Sequence, residues 1–283
     1  MSKVDLHLHT TASDGSLTPE QMVKRAVEVG LEIIAITDHD TVAGIEPAMA
    51  AARSYPGLTL IPGVEINTDV PQGEVHVLGY FVDYHHPEFA SKLETLRRSR
   101  EERAQKMIAR LAGLGIPIEW RRVRELAAGE SVGRPHIAQA MLEKRYIGTL
   151  KEAFTKYIGR DGPAYVERYK LTPDEAVTLV VRASGLPVLA HPAGIDGLET
   201  LVPRLKRQGL IGLEVYYPGY TSEMVAELSQ LARRNSLLTT GGSDYHAAGL
   251  ATDVELGLID VPRESAVQLI ALAQRRQQET RAT

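Results

Sequence analysis

Asp5-Leu6-His7-Leu8-His9 sets two imidazoles two residues apart in an alternating stretch. That period reads as a β-strand, on which residues i and i+2 share a face. His7 and His9 therefore converge on one point, as two ligands of one metal ion do. Asp14 follows at an Asp-Gly turn. Imidazole and carboxylate together suit a borderline divalent ion such as zinc, manganese or iron. Two satisfied histidines at a buried strand end would give the same local pattern, so the rest of the chain has to decide.

It does so by repetition. Six of the nine histidines lie on or just after segments that read as strands: His7, His9, His39, His76, His191 and His246. Asp14, Glu65 and Asp244 hold matching positions. Core histidines have no reason to gather at strand ends, whereas loops there are free to carry chemistry. Nine ligand-type residues, at about three per ion, serve two or three ions and leave room for water and substrate. With no cysteine in the chain, thiolate sites and cysteine nucleophiles are excluded, and any metal is held by His, Asp and Glu.

The elements that position these residues alternate between strand and helix at both ends of the chain. Thr18-Pro19-Glu20-Gln21 is a capped helix start, repeated at Thr172-Pro173-Asp174-Glu175. Apolar runs at 31–37, 58–62, 74–82, 187–190, 211–216 and 237–240 read as strands, mostly of the kind buried on both faces of a parallel sheet. Between Pro87 and Arg168 the alternation stops, and helices are expected over 89–114, 133–144 and 150–159. The expected architecture is an α/β barrel built from 1–86 and 169–283, interrupted by a helical insertion at 87–168.

A hydrophobic content of 43% with 24% charged residues is ordinary for a globular protein. The net charge of −4 gives no overall basic field for long nucleic acid or an anionic membrane. Neither a signal-peptide pattern nor a membrane-length apolar run is present, which points to the cytoplasm.

Asp5-x-His7-x-His9-Thr10-x-x-Ser13-Asp14-Gly15, Thr37-Asp38-His39-Asp40, Gly63-Val64-Glu65, Ala190-His191-Pro192 and Gly242-Ser243-Asp244-x-His246, in that order, resemble the polymerase and histidinol phosphatase (PHP) family. The resemblance implies a distorted seven-stranded (β/α) barrel, TIM-like, with a two- or three-metal site that hydrolyses phosphate esters. The insertion and its Gly133-Arg134-Pro135-His136-Ile137-Ala138 segment resemble the branch containing 3′,5′-nucleoside bisphosphate phosphatases and 5′-to-3′ exoribonucleases. By motif, one metal takes His7, His9, Glu65 and Asp244. Glu65 bridges to a second with His76 and His191, and a third takes Asp14, His39 and His246. Many relatives carry His where this chain has Asp14, and that oxygen ligand favours manganese over zinc or iron. Glu65, His191 and Asp244 are then the catalytic residues, acting around a water that becomes hydroxide between two cations. Asp5, Asp38 and Asp40 are expected to orient metal-bound imidazoles.

The insertion supplies the substrate side. From Arg97 to Arg124 nine basic residues meet three acidic ones, a net of +6 in a chain of net −4. Arg97, Arg100, Arg103, Lys106 and Arg110 fall on one helix stripe. Arg134 and His136 open a helix, where backbone N–H groups favour phosphate. Arg103, Arg134 and His136 are accordingly the expected substrate contacts, and Tyr216, Tyr217, Tyr220 and Tyr245 are candidates to stack a base. The expected substrate is a small nucleotide or short RNA with more than one phosphate. Histidinol phosphate is the alternative, and a non-catalytic metal-binding regulatory module is the alternative of another class.

Overall fold

Seven strands run in sequence order round one sheet, each beside the strand before it. They are β1 (Val4–Leu8), β2 (Ile33–Ile36), β3 (Thr59–Val70), β4 (Gly73–Tyr80), β5 (Leu186–Ala190), β6 (Gly212–Tyr216) and β7 (Leu238–Gly241). A parallel bridge from Leu8 to Tyr245 brings the segment after β7 back to β1 and closes the ring. The structure is a computed structural model that describes residues 2–70, 73–247 and 254–282.

One strand departs from the expected parallel order. β4 pairs antiparallel with β3, from Gly63↔Tyr80 to Val70↔Gly73, and antiparallel with β5. The other pairs are parallel. A reversed strand presents its beginning, not its end, at the rim where its neighbours finish. His76 lies early in β4 opposite Ala190, one residue before His191, so the reversal delivers it to the same rim as the other histidines.

The helices of the barrel are α1 (Pro19–Glu28) and α2 (Ile45–Ala52), followed much later by α7 (Pro173–Arg182), α8 (Leu198–Gln208), α9 (Ser222–Arg234) and α10 (Arg263–Ala282). Both expected capping boxes form. The Thr18 and Thr172 hydroxyls accept from the N–H of Gln21 and Glu175, whose side chains accept in return. Each cap is worth about 1 kcal/mol. Along α1 the buried residues Met22, Val23 and Ala26 make one stripe that packs with Ile34 and Ile36 of β2. A core from β1 to β5, including Leu6, Ala35, Ile61, Leu78, Tyr80 and Val188, meets Ala266 and Leu269 of α10, which plugs the end away from the histidines.

Between β4 and α7 lie α3 (Pro87–Gly113), α4 (Trp120–Ala127), α5 (Arg134–Glu143), α6 (Leu150–Ala153) and a π-helical turn, Phe154–Ile158. At 27 residues α3 is about 40 Å long and serves two cores. Phe89, Leu93 and Leu96 join the barrel core. Ala104, Met107 and Leu111 join a separate core drawn wholly from 104–166. The helix α4 and the barrel helices α8 and α9 lie outside the elements expected from the sequence. No helix among the described residues is long and apolar enough to cross a membrane.

Candidate metal centre

Glu65 of β3 is the hub. Its Oε2 lies 3.2 Å from His7 Nε2, 3.2 Å from His9 Nε2 and 2.9 Å from His39 Nδ1. Its Oε1 lies 2.7 Å from His76 Nδ1 and 3.1 Å from His191 Nε2. The two oxygens of one carboxylate thus face two different sets of imidazoles. Asp244 Oδ1 lies 2.9 Å from His9 Nε2 and 3.3 Å from His7 Nε2. Asp14 completes the far side, with Oδ1 3.4 Å from His246 Nε2 and Oδ2 3.9 Å from His39 Nε2.

Three compact groups emerge: His7, His9, Glu65 and Asp244; His9, Asp14, His39 and His246; and His39, Glu65 and His76, each with ligand atoms within 4.8 Å of one another. The first matches the set expected from the motifs. The second contains the expected third set and adds His9 through its other nitrogen. The remaining group joins Glu65 to His76, as expected, but draws in His39 rather than His191, whose Nε2 lies 3.1 Å from Glu65 Oε1.

The atoms are of the kind a cation satisfies. His7 Nε2, both nitrogens of His9, His39 Nδ1, Glu65 Oε2, Asp14 Oδ1 and Asp244 Oδ1 are buried with no hydrogen-bond partner. Buried polar atoms are ordinarily paired because leaving them unpaired costs several kcal/mol. Two ligands about 2.1 Å from one tetrahedral ion sit roughly 3.4 Å apart, close to the separations here. Burial pushes the Glu65 carboxyl up, yet His39, His7 and His76 outweigh it and hold it well below the usual carboxylate range. Burial is likewise overcome at Asp244 by His7 and His9, and at Asp14 by His39 and His246. Three ionised carboxylates therefore face six imidazoles in a donor set that fits hard-to-borderline divalent ions.

Local backbone geometry supports the arrangement. The β1–β2 ladder shifts register between Asp5 and Leu8, and such irregularities re-aim side chains. His191 and Asp244 have φ of +27° and +51°, a conformation non-glycine residues rarely adopt and one that clusters at functional sites. At Gly242 a Cβ would meet the His7 backbone nitrogen at 2.5 Å and Asp5 Oδ1 at 2.8 Å, so only glycine lets the end of β7 approach β1 here.

The supporting carboxylates differ from expectation. Asp5 accepts from the backbone N–H of His7 and Ser243. Asp38 accepts from the Thr10 N–H, the Thr10 hydroxyl and the Ser13 hydroxyl, tying down the loop that carries Asp14. Asp40 is held by Arg100 Nε at 2.6 Å and Arg168 at 3.1 Å. None of the three hydrogen-bonds an imidazole. The residue that does is Glu214, which none of the sequence motifs marks. It is fully buried, lies 2.9 Å from His7 Nδ1 and accepts from the His191 N–H at 2.8 Å. The signal was a lone glutamate inside the apolar strand Leu213-Glu214-Val215. Asn67 plays the matching part for His76, with Nδ2 2.6 Å from His76 Nε2.

Beyond Asn67 the wall turns basic. Arg100 donates to Asn67 Oδ1. Arg100 and Arg103 are buried, and the side chains of Arg168 and Lys170 are almost fully covered. Arg100, Arg103, Arg134 and Arg168 meet, among the described side chains, the two carboxylates Asp40 and Glu74, and Lys170 also pairs with Glu74. Arg103 Nε and Arg168 Nε have no hydrogen-bond partner. Burial, together with Arg168, Arg100 and Arg134, drives the Arg103 guanidinium well below its ordinary range. Among the described side chains the four arginines of the cluster outnumber its carboxylates.

The expected stripe on α3 is therefore split. Arg100 and Arg103 face inward, while Lys106 and Arg110 are exposed and Arg97 pairs with Glu130. Arg134 is not free at its helix start: it pairs with Glu74 at 3.2 Å and lies over the rings of Phe154 and Tyr165. His136 accepts from the Gly133 N–H through Nδ1. Among the tyrosines, Tyr217 donates to Asp244 Oδ2 at 2.7 Å and Tyr220 accepts from the Ala193 N–H, while Tyr245 is in the core and Tyr216 packs at its edge.

Residues 5–159 match the family model described as PHP domain. The chain is 37% identical over 247 residues, 86% of its own length and 84% of the other's, to the 5′-3′ exoribonuclease Rnm of Escherichia coli. It is 33% identical over 259 residues, 88% and 89% of the two lengths, to the 3′,5′-nucleoside bisphosphate phosphatase of Chromobacterium violaceum. A solved structure from Bifidobacterium adolescentis, titled as a candidate metal-dependent phosphoesterase, superposes with a TM-score of 0.88 at 31% identity and covers 95% of this chain and 96% of that one.

Proposed function

The chain belongs to the PHP domain family, and on that premise we propose that it is a metal-dependent phosphoesterase acting on a small nucleotide or short RNA that carries a second phosphate. Residues 1–86 and 169–283 are read as the catalytic barrel and 87–168 as the cap over its mouth. The observation that carries the reading is the shared wall: a histidine–carboxylate centre adjoins a buried cluster in which, among the described side chains, arginines outnumber carboxylates, joined to it through Asn67.

The ion-holding residues are His7, His9, Asp14, His39, Glu65, His76, His191, Asp244 and His246, and manganese is the proposed ion. Two or three such ions, when bound, supply Lewis-acid charge to phosphoryl oxygens and lower the proton affinity of water. Glu65 holds its two imidazole sets in register. Glu214 and Asn67 keep His7 and His76 from rotating, and Tyr217 fixes the free oxygen of Asp244. His191, the most exposed of the six imidazoles at 22%, borders the substrate side. The reaction consumes one water: an oxygen–phosphorus bond forms, the bond from phosphorus to the 3′ oxygen breaks, and that oxygen leaves as a hydroxyl. Arg103, with Arg100, Arg168 and Arg134 around it, receives the second phosphate, since guanidinium groups bind such oxyanions strongly. His136 contributes from the helix start. No membrane partner and no stable complex with long nucleic acid is proposed, and the cytoplasm is the proposed setting.

A phosphate-release screen with manganese tests the proposal. Nucleoside 3′,5′-bisphosphate is expected to be turned over faster than histidinol phosphate or a nucleoside monophosphate. Faster turnover of histidinol phosphate would move the substrate to that alternative. No phosphate released from any of these, and no nucleotide released from short RNAs, with metal bound would favour a non-catalytic module.

A further inference from the structure

Glu74 is the second residue of β4 and stands two before His76. Residues two apart on a strand share a face and lie about 7 Å apart, so Glu74 is one step along the wall from the metal centre. Its carboxylate rests on two cations from distant parts of the chain. Both oxygens lie 3.2 Å from Arg134 Nη2 of α5, and Oε1 lies 2.9 Å from Lys170 Nζ. The bridge between Thr68 and Leu171 is what lays Lys170 beside β3.

The two carboxylates of the basic wall are held differently. Asp40 is fully buried and, besides Arg100 and Arg168, accepts from the Asn67 backbone N–H. Glu74 keeps 30% of its side chain exposed. Among the described residues, only the side chains of Arg134 and Lys170 hold it. It can therefore leave by rotating its own side chain, with no backbone bond to break. The cations would stay behind. The Lys170 side chain is almost fully covered. The Arg134 guanidinium lies 5.8 Å from the ring centre of Phe154 and 5.9 Å from that of Tyr165, contacts that do not involve Glu74.

We propose that the Glu74 carboxylate holds the place of the substrate's second phosphate, and that Arg134 and Lys170 pass from the carboxylate to that phosphate when substrate binds. A carboxylate offers two oxygens and one negative charge. A phosphate monoester offers three oxygens and a charge of about −1.5 to −2 at pH 7, so it prevails in the exchange. The inference rests on the phosphoesterase reading and extends it. It adds Lys170 as a phosphate contact and makes Glu74 the residue that sets how tightly the phosphate is kept. The spacing suits one ribose, with the reacting 3′ phosphate at the His76 end and the 5′ phosphate one strand step away. A ligand that needs this place binds with its own affinity reduced by the fraction of molecules in which the carboxylate is out. A ligand without the second phosphate is unaffected. The nucleoside 5′-monophosphate left after the reaction still carries that phosphate, and the returning carboxylate helps to expel it.

Calorimetric titration of a nucleoside 5′-monophosphate into the manganese-loaded chain reads this exchange without turnover. We compare wild type, Glu74→Gln and Glu74→Asp. The Kd is expected to fall by about 10- to 150-fold in Glu74→Gln, the scale of one charge-assisted contact no longer competed for. A smaller fall is expected in Glu74→Asp, which keeps the charge on a shorter arm. In steady-state kinetics, kcat/KM for the 3′,5′-bisphosphate is expected to rise by a similar factor relative to the nucleoside 3′-monophosphate. Melting curves report folding, and if Glu74→Gln does not fold, Glu74→Asp decides. An unchanged or higher Kd in a folded variant, or no binding in any of the three proteins, would overturn the inference and leave Glu74 a strut between α5 and the barrel. Wild type that binds the 5′-monophosphate but releases phosphate from neither substrate would remove the phosphoesterase reading, while the calorimetric comparison would still decide the role of Glu74.

Discussion

Glu65→Gln is expected to cut turnover by roughly 10²- to 10⁴-fold, the scale lost when preorganised electrostatic stabilisation or a metal's contribution is removed. The substitution keeps the size of the side chain and removes its charge. Five imidazole nitrogens lie within 3.2 Å of its two oxygens, so no other single change reaches so many candidate ligands at once. The amide retains one acceptor oxygen and presents an NH₂ group to whichever histidine set the other faced. His191→Ala removes one contact to the same carboxylate and acts in the same direction. The barrel core lies away from this rim, so the metal-free variant should melt cooperatively near the wild-type temperature, while metal-induced stabilisation shrinks. Steady-state kinetics across a manganese titration, paired with melting curves, measures both. Near-normal kcat at saturating manganese would show that Glu65 is not the hub.

Arg103→Met is expected to change activity and stability in opposite directions. Losing a charge-assisted hydrogen bond to phosphate costs about 1.5–3 kcal/mol, or roughly 10- to 150-fold in kcat/KM for a 3′,5′-bisphosphate. A simple monophosphate, which does not reach the cluster, should lose much less. Meanwhile the free protein is relieved of a buried guanidinium that lacks a hydrogen-bond partner at Nε and sits among like charges. Replacing buried charge by an apolar chain of similar length is often neutral or stabilising. Each kcal/mol gained in a chain of this size raises the melting temperature by about 2–4 °C. Equal kinetic losses on both substrates would move Arg103 to the reacting phosphate or to the fold. A drop of several degrees in melting temperature would mean that the cluster is structural.

How much of this could be read from the chain depends on how far apart the partners lie. His7 and His9 are legible because strand period two fixes their relation locally. His39, His191 and Asp244 are legible because each follows an apolar strand, and Glu65 because it follows the apolar run 58–62, though the strand continues through it to Val70. The capping boxes at Thr18 and Thr172 are legible for the same reason: all their partners lie within three residues. The reversal of β4 is not, since its residues carry the same apolar pattern in either direction and only pairing with β3 and β5 sets the sense. Glu214 reaches His7 across 207 residues, and Arg168 reaches Asp40 across 128. No local pattern announces either pair. The basic stripe on α3 misleads for a related reason. Helical spacing says which residues share a face, but only the packing of the helix on the barrel decides that Arg100 and Arg103 are buried while Lys106 stays in solvent. Two of the unmarked helices lack start signals: α4 and α8 have no side-chain cap, and α8 contains Pro203. The Thr221 cap of α9, by contrast, is a local signal of the usual kind.

The proposed chemistry turns on ions held by this rim. Elemental analysis of the purified chain, with phosphate release from a 3′,5′-bisphosphate measured before chelation, after chelation and after adding back manganese, tests it most directly. The expected result is about two or three divalent ions per chain, loss of activity with their removal, and recovery when manganese returns. A metal-free chain that hydrolyses the substrate at the full rate would contradict it.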